Sequence, residues 1–264
     1  MKLLVQSDDY GFTKGVTLGI LDAVDNGIIT CTGLFVNMGE SSKFAAEKMK
    51  DYPNTCFGID FNIVSGPCVA DPKLIPTLVD ENGMFIKSTV RYADPRFSKD
   101  GDNGELWPYE EVLIEIRAQF KKYVELTGKK PEYLHNHSIT AFAKEYVRAI
   151  SDLSKETGVI YSRNIRAQYQ FGGMKGSWNV KPFTIENQLK TSALEYVREH
   201  ADEMLEFEYA ALGGHAAFVD NELFKWTTYT IIRCKDHEMY TSDFMKEWIK
   251  KNNVQLISYR DLKV

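Results

Sequence analysis

The sequence predicts an α/β fold, in which residues 1–264 form a single irregular TIM-like (β/α) barrel domain with mostly parallel strands. Short apolar runs alternate with amphipathic stretches along the chain, and this alternation is typical of a parallel sheet with right-handed crossovers. The chain has 264 residues. A (β/α) barrel of that length folds as one unit, and the pattern contains about seven βα units. An open parallel sheet is the alternative that the pattern leaves.

The first part of the chain alternates three predicted strands with two predicted helices. The apolar run Lys2–Gln6 predicts a buried strand, and Lys14–Asn26 predicts a helix with one apolar stripe and a glycine after its end. Gly33–Asn37 predicts the second strand. Ser41–Asp51 predicts a helix closed by a proline, and Cys56–Ile63 predicts the third strand.

The middle of the chain begins with a long irregular stretch, residues 64–107, which is rich in Pro, Gly, Asp and Asn. Loops of this length inside compact domains are usually functional. Pro108–Thr127 predicts a strong helix, because apolar residues recur there every four positions and a glycine ends the pattern. Tyr133–His137 predicts a strand, Phe142–Thr157 a helix, and Val159–Arg163 another strand.

The last part of the chain contains a second irregular segment, residues 164–180, with three glycines and several aromatic residues. Ile185–His200 predicts a helix, and Leu205–Leu212 predicts a strand that leads into a Gly-Gly-His turn. Ser242–Lys251 predicts the final helix, and Val254–Tyr259 predicts the final strand.

Composition excludes several classes of protein. The formal net charge is −5. Binding of nucleic acid without sequence specificity needs a basic surface, which this charge does not predict. The four cysteines form no CxxC pair, which argues against a zinc knuckle or a dithiol redox site and favours reduced thiols in the cytoplasm. No signal peptide and no 18-residue apolar run is present, so no membrane span is expected. The oligomeric state stays open, with a homodimer among the options.

Polar side chains follow four of the predicted strands. Because the carboxyl ends of parallel strands meet on one face of a barrel, which is where active sites occur, these side chains are expected to meet in space. They are Asp8 and Asp9, Asp60 and Asn62, His135 and His137, and His215.

These residue types allow the chemistry of a hydrolytic metal site. Asp9, Asp60 and His137 offer two oxygens and one nitrogen to a divalent cation and leave positions open for water. Asp8 then takes a proton from the water, and His215 protonates the leaving group. For Asp8 and Asp9 the alternative is a solvated turn that caps the following helix, and for His215 the alternative is a plain loop histidine.

The segment SDDYGFTKGVTLGILDAVDNGIITCTGLFVNM resembles the opening of the YdjC-like carbohydrate deacetylases, of the chitooligosaccharide deacetylase type. Further similar segments are GIDFNIVSGPCV, LVDENGMF, EIRAQFKKYVELTGKKPEYLHNH, GGHAAFVDNEL and the tail ISYRDL. The resemblance extends over nearly the whole chain, in the right order. The opening and the tail are its most specific parts.

The resemblance implies an irregular TIM-like barrel that removes acetyl groups from N-acetylated sugars with a divalent cation, usually magnesium. It implies that Asp9 is a metal ligand with Asp8 as its catalytic neighbour. It also implies that His137 begins the histidine-rich run and that His215 is the histidine of a His-Pro-Gly turn. The partner would be a small acetylated saccharide.

This chain departs from the family pattern at several positions, so it resembles a divergent member of the family. Asp60 replaces the first metal histidine, most of the histidine-rich run is lost, and Ala216 and Ala217 replace the Pro and Gly of the His-Pro-Gly turn. A second carboxylate ligand favours Mg²⁺, or Mn²⁺, over Zn²⁺, although Zn²⁺ stays an option. It also makes the cation a weaker Lewis acid. The alternatives are a catalytically impaired sugar-binding or regulatory barrel and a Mg²⁺-dependent phosphoesterase.

Fewer residues indicate how a substrate would bind. Aromatic rings in the two irregular stretches suit the apolar faces of sugar rings, with packing of the loops as the alternative. They are Trp107, Tyr169, Phe171 and Trp178. Arg163, predicted at a strand end, would orient a carboxylate or hold a substrate oxygen. Asn62 and His135 complete the candidate substrate-binding set.

Overall fold

The fold is built on one sheet of parallel strands, as the computed structural model shows for residues 1–263. Val264, the last residue of the predicted domain, lies outside the described residues. In the described part of the chain the sheet has six strands in the order β4-β3-β2-β1-β5, and β6 pairs with β1. The strands are β1 (Lys2–Tyr10), β2 (Cys31–Leu34), β3 (Cys56–Phe61), β4 (Leu134–Asn136), β5 (Tyr209–Gly214) and β6 (Gln255–Ile257).

At least one helix lies between each pair of consecutive strands. The helices are α1 (Lys14–Asp25), α2 (Glu40–Lys48), α3 (Ser88–Tyr92), α4 (Tyr109–Thr127), α5 (Lys144–Thr157), α6 (Ser162–Gln168), α7 (Ile185–Lys190), α8 (Ala193–His200), α9 (Leu223–Trp226), α10 (Ile231–Thr241) and α11 (Asp243–Lys251). The predicted α/β class is confirmed.

The central strand β1 places the acidic pair at the middle of the sheet. It pairs in parallel with β2, β5 and β6, and it extends through Asp8 and Asp9 to Tyr10. Every residue of β2 and β3 is buried, because both faces of a parallel sheet are covered. A polar side chain at these strand ends is therefore surrounded by protein rather than by bulk water.

The two edges of the sheet approach each other through one short segment. Tyr161 makes a parallel bridge to Leu134 of β4, and Gly172 makes a parallel bridge to Ala210 of β5. Helix α6 lies between these two bridging residues. The sheet is thus curved, and residues 161–172 span the gap that an irregular barrel would have to close.

The helix ends follow the local chemistry of the sequence. The Thr13 hydroxyl accepts a hydrogen bond from the backbone N of Val16 and caps α1. Gly128 and Gly158 end α4 and α5 with φ values of 74° and 71°, which is the left-handed conformation that glycine adopts without steric cost. The Ser242 side chain caps α11 in the same way as Thr13 caps α1.

Two predicted elements need correction, and the sequence analysis missed a helix that matters for the site. Val159–Arg163 is not a strand, because only Tyr161 bridges to β4 and α6 begins at Ser162. Ile185–His200 is two helices, because Ser192 starts a new helix by accepting from the backbone N of Glu195. Helix α10 was not predicted at all, although it contributes two buried charged residues to the site.

None of the helices within residues 1–263 combines the length and the apolar character that crossing a membrane requires.

Candidate functional site

The predicted polar residues meet at the carboxyl ends of the strands. Asp8 and Asp9 lie near the end of β1, Asp60 lies near the end of β3, and His135 lies in β4. His137 follows β4 directly, and His215 follows β5 directly. Chain segments more than fifty residues apart therefore contribute to one site, as the topology of parallel strands requires.

Two cavities open beside these residues. The larger has a volume of about 750 Å³ and is lined by Asp8, Asp9, His137, His215 and Arg233, with the aromatic side chains Tyr92, Phe183, Phe224, Trp226 and Tyr229 around them. The smaller, of about 270 Å³, shares Asp8 and His215 with it. A cavity of the larger size falls within the range of small-molecule sites, ~300–1,000 Å³.

Asp9 is held in a strained conformation by two partners. Its φ is 73°, which is uncommon for a residue with a side chain and costs backbone energy. Asp9 Oδ1 lies 2.8 Å from His137 Nδ1, and Asp9 Oδ2 accepts from Arg233 Nη2 at 2.6 Å. Burial disfavours the charged carboxylate, but His137 and Arg233 outweigh it and hold the pKa of Asp9 well below its usual range. Asp9 is therefore ionised and has both oxygens engaged.

Arg233 on α10 belongs to the site although the sequence analysis did not identify it. Its side chain is 2% exposed. The guanidinium Nε donates to the backbone O of Tyr229 at 2.9 Å, and the cation lies over the rings of Phe12 and Tyr229. The signal that could have found it is an arginine on the apolar face of a short amphipathic stretch, between Ile232 and Met239.

A second cluster joins Asp8, Asp60 and His135. One potential ligand atom from each residue lies within 4.8 Å of the other two. His135 Nδ1 lies 2.7 Å from Ser162 Oγ, which leaves Nε2 facing Asp8, with Oδ2 3.5 Å away. Burial, helped by the charge of Asp8, raises the pKa of Asp60 to about 7.

Asp60 has one oxygen without a partner. Oδ2 accepts from the backbone N of Asp9 at 2.9 Å, whereas the buried Oδ1 has no hydrogen-bond partner within residues 1–263. Two carboxylates and an imidazole that share a small volume, with one buried oxygen unsatisfied, fit a hard divalent cation. Asp8, Asp60 and His135 could hold such an ion, and the bond from His135 to Ser162 would fix the ring.

Beneath Asp8 lies a buried amide, Gln6. Its Oε1 accepts from Arg166 Nη2 at 2.6 Å and from the Tyr259 hydroxyl at 2.8 Å. Because a guanidinium can only donate, the amide oxygen must face Arg166 and the amide nitrogen must face Asp8. Gln6 Nε2 accordingly donates to Asp8 Oδ1. The carboxylate of Asp8 is thus oriented from below by a network that reaches α6 and the C-terminal segment.

His215 is fixed through its backbone. Its backbone N donates to Asp236 Oδ2 at 2.8 Å, and its ring meets the edge of Tyr229 with 5.1 Å between centroids. The buried ring nitrogen Nδ1 has no hydrogen-bond partner within residues 1–263. His215 thus lines both cavities.

Three of the predicted substrate-binding residues lie away from the cavities. The Asn62 side chain accepts from the backbone N of Val64 and of Ser65 and stabilises a buried turn. Trp107 is buried in the hydrophobic core. Arg163 is exposed on α6, and it is Arg166, one turn later, that reaches the site. Neither cavity is lined by Asn62, Trp107 or Arg163, and His135, the fourth predicted substrate-binding residue, lies beside Asp8 but lines neither cavity either.

The chain is similar to known proteins over nearly its whole length. The family model described as YdjC-like protein matches residues 2–251. Carbohydrate deacetylase 2 of Listeria innocua is 29% identical, and the alignment covers 99% of each chain. The chitooligosaccharide deacetylase of Escherichia fergusonii is 26% identical, with 98% of each chain covered.

A solved structure shares the fold. It is the crystal structure of an Enterococcus faecalis protein described as a candidate for cellobiose-phosphate cleavage. The two chains superpose with a TM-score of 0.77 at 22% identity, over 98% of each chain. At this identity the likeness establishes the architecture and leaves the chemistry to the site itself.

Proposed function

The chain belongs to the YdjC-like family, and on that premise we propose that it is a metal-dependent carbohydrate deacetylase that hydrolyses the acetyl group of an N-acetylated saccharide. The observation that carries the proposal is the convergence of two carboxylates and two imidazoles on one aromatic-lined cavity of about 750 Å³. A third carboxylate, Asp60, and a third imidazole, His135, lie beside Asp8. The relatives named as carbohydrate and chitooligosaccharide deacetylases support the same reaction.

Two sets of cation ligands compete. The family resemblance favours Asp9, Asp60 and His137. The geometry favours Asp8, Asp60 and His135, because their ligand atoms already cluster and because the Arg233 guanidinium, 2.6 Å from Asp9, opposes a cation at that carboxylate. Our proposal takes the second set. Mg²⁺ or Mn²⁺ suits it best, since two of the three ligand atoms are carboxylate oxygens.

The remaining groups divide the proton transfers between them. Asp8, Asp60 and His135 would hold a divalent cation, which when bound would polarise the acetyl carbonyl and lower the pKa of water. His137 is held by Asp9 through Nδ1, so Nε2 is the nitrogen left to take a proton from the attacking water. His215, on the opposite side at the end of β5, donates a proton to the departing sugar amine. Arg233 keeps Asp9 ionised and so keeps His137 in place.

Cation binding separates the two ligand sets. Isothermal titration of metal-stripped protein with Mn²⁺ should show that Asp8→Asn and His135→Ala weaken binding by ~10-fold or more. His137→Ala should bind Mn²⁺ within about threefold of wild type and yet release no acetate. The reverse result, with Mn²⁺ affinity lost in Asp9→Asn and His137→Ala only, would assign the cation to Asp9, Asp60 and His137.

Acetate release tests the reaction itself. Purified protein with Mg²⁺ or Mn²⁺ should release acetate from at least one member of a panel of N- and O-acetylated saccharides. Asp9→Asn should abolish turnover and keep the circular dichroism spectrum of a folded protein. The melting temperature should fall, because the buried Arg233 guanidinium loses its charged partner. Saccharide binding without acetate release in the metal-loaded wild type would contradict the proposal and favour an impaired sugar-binding barrel instead.

A further inference from the structure

Asp236 is a buried carboxylate on α10 that the proposed proton transfers do not use. Its side chain is inaccessible to solvent, and both of its hydrogen-bond partners within residues 1–263 are neutral N–H groups. Oδ2 accepts from the backbone N of His215 at 2.8 Å, and Oδ1 accepts from the indole Nε1 of Trp178 at 2.9 Å. Burial of a carboxylate without a directly paired cation is costly, so stability alone does not account for this residue.

Gly214 leaves room for the Asp236 carboxylate to approach the backbone of His215. A Cβ atom at Gly214 would lie 3.0 Å from Asp236 Oδ2 and 2.8 Å from the Tyr240 hydroxyl. Any larger residue would therefore displace the carboxylate from the backbone of His215. The glycine before His215 is thus explained by this contact rather than by a need for a flexible turn.

Trp178 belongs to a segment that forms a wall of both cavities. Residues 173–183 contribute Gly173, Met174 and Trp178 to the smaller cavity, Lys181 and Phe183 to the larger one, and Ser177 and Asn179 to both. The Tyr229 hydroxyl donates to Asn179 Oδ1 at 3.0 Å, and the ring of Tyr229 packs against His215. The wall and His215 are therefore attached to the same stretch, residues 229–236.

We propose that Asp236 is a positioning residue that couples the proton donor His215 to the saccharide-binding wall formed by residues 173–183. The inference rests on the proposed function, because it takes His215 as the donor. One carboxylate oxygen holds the wall through Trp178, and the other holds the backbone of His215. A saccharide that seats against the wall thereby sets the position of the imidazole that protonates its leaving group.

Two substitutions separate the effects of the two hydrogen bonds that Asp236 accepts, one from Trp178 and one from the backbone of His215. Asp236→Asn keeps the shape but offers only one accepting oxygen, so one donor loses its partner and kcat should fall roughly 5- to 100-fold. Trp178→Phe removes only the contact of Asp236 with the wall, so KM should rise several-fold. The value of kcat should also fall, but by less than in Asp236→Asn, because the bond from Asp236 to the backbone of His215 remains. The assay uses the acetylated saccharide that the wild type hydrolyses fastest. The matched control is Trp248→Phe on α11, which removes a similar indole bond to Asp202. It should leave both constants unchanged.

A double-mutant cycle distinguishes positioning from a purely structural role. If Asp236 acts through His215, the loss of kcat from Asp236→Asn should disappear in the His215→Ala background, where the donor is already absent. An equal loss in both backgrounds, or no loss in the wild-type background, would overturn the inference. If His215→Ala has no effect on kcat, the fault lies with the proposed function and not with the contact of Asp236.

Hydrogen–deuterium exchange provides a readout that needs no turnover. Asp236→Asn should accelerate exchange both in residues 173–183 and at the amide of His215, and Trp248→Phe should accelerate neither. Acceleration in only one of the two places would show that Asp236 does not couple them, even in a variant that releases no acetate.

Discussion

The position of Asp60 depends on a single residue of the neighbouring strand. Gly33 of β2 lies directly beneath the carboxylate, and a Cβ atom built there would fall 2.1 Å from Asp60 Oδ1. The neighbouring strands β2 and β3 carry glycine at the paired positions 33 and 58, which leaves room for large groups over the sheet. The carboxylate of Asp60 fits here only because position 33 has no side chain.

Gly33→Ala should therefore disturb the candidate cation site. The added methyl group forces the carboxylate of Asp60 away from Asp8 and His135, and we expect a loss of roughly 1–3 kcal/mol in the free energy of unfolding. Mn²⁺ affinity should fall ~10-fold or more. Chemical denaturation and isothermal titration measure the two effects. Gly213→Ala, where nothing lies within 4 Å of the added atom, controls for the change of residue type, and an unaltered Mn²⁺ affinity in Gly33→Ala would contradict the placement of Asp60.

At the residue scale, sequence reasoning predicted which titratable side chains lie together in the candidate site, but not how they pair. The types and strand-end positions of Asp8, Asp9, Asp60 and the histidines were readable from apolar runs that end in polar residues. Which aspartate faces which histidine depends on the φ of 73° at Asp9. That conformation is uncommon for an aspartate, and nothing local in the sequence signals it. It is maintained by contacts with residues far along the chain.

At the element scale, α10 shows where periodicity fails. Its buried face carries Arg233 and Asp236 among Ile232, Met239 and Tyr240. Charged residues on the inner face break the apolar stripe that predicts a helix. The same two charges are the ones that hold Asp9 and His215. The helix escaped prediction because its inner face is shared between the hydrophobic core, through Met239 and Tyr240, and the polar contacts of the candidate site.

The short segment 161–172 is the element that links the two sheet edges, and Gly172 is its contact with β5. The backbone N of Gly172 donates to the O of Tyr209, and the N of Ala211 donates to the O of Gly172. A Cβ atom at Gly172 would lie 2.3 Å from the ring of Phe207. Gly172→Ala should thus separate this segment from β5, at a cost of about 1–3 kcal/mol in the free energy of unfolding.

The Phe207 ring provides the control for that prediction. In a Phe207→Ala background the space is free, so the additional cost of Gly172→Ala should shrink to below ~0.5 kcal/mol. Urea denaturation of the four proteins gives the coupling energy, and exchange at the Ala211 amide reports the contact directly. Additive costs in the double variant would show that the clash with Phe207 is not what makes Gly172 necessary.

At the scale of the whole molecule, the C-terminal segment contacts both the candidate site and the sheet. The Tyr259 hydroxyl bonds Gln6 in the centre of β1. Arg260 bonds both oxygens of Glu132, which lies just before β4, and the backbone O of Pro53 and of Thr55. The tail motif ISYRDL was recognisable from the sequence, but its partners were not, because more than a hundred residues separate Arg260 from Glu132. The tail thus connects β6 to the segments that lead into β3 and β4.

This connection makes part of the stability dependent on pH. Burial opposes ionisation of Glu132, but the Arg260 guanidinium outweighs it and the pKa of the Glu132 carboxyl is lowered in the folded state. A carboxyl whose pKa is lower when folded stabilises the protein at pH values above the unfolded pKa, ~4.3. That stabilisation is lost as the pH falls through the folded pKa.

Glu132→Gln should accordingly destabilise the protein at neutral pH by roughly 1–3 kcal/mol, and the difference from wild type should narrow as the pH falls below ~4. Denaturation of both proteins at a series of pH values measures it. Glu40→Gln, which removes an exposed pair with Lys43 on α2, should change the free energy of unfolding by less than ~0.5 kcal/mol. A difference between Glu132→Gln and wild type that stays constant with pH would mean that the bond to Arg260 does not depend on the charge of Glu132. The tail would then be held by its packing and by the backbone carbonyls of Pro53 and Thr55.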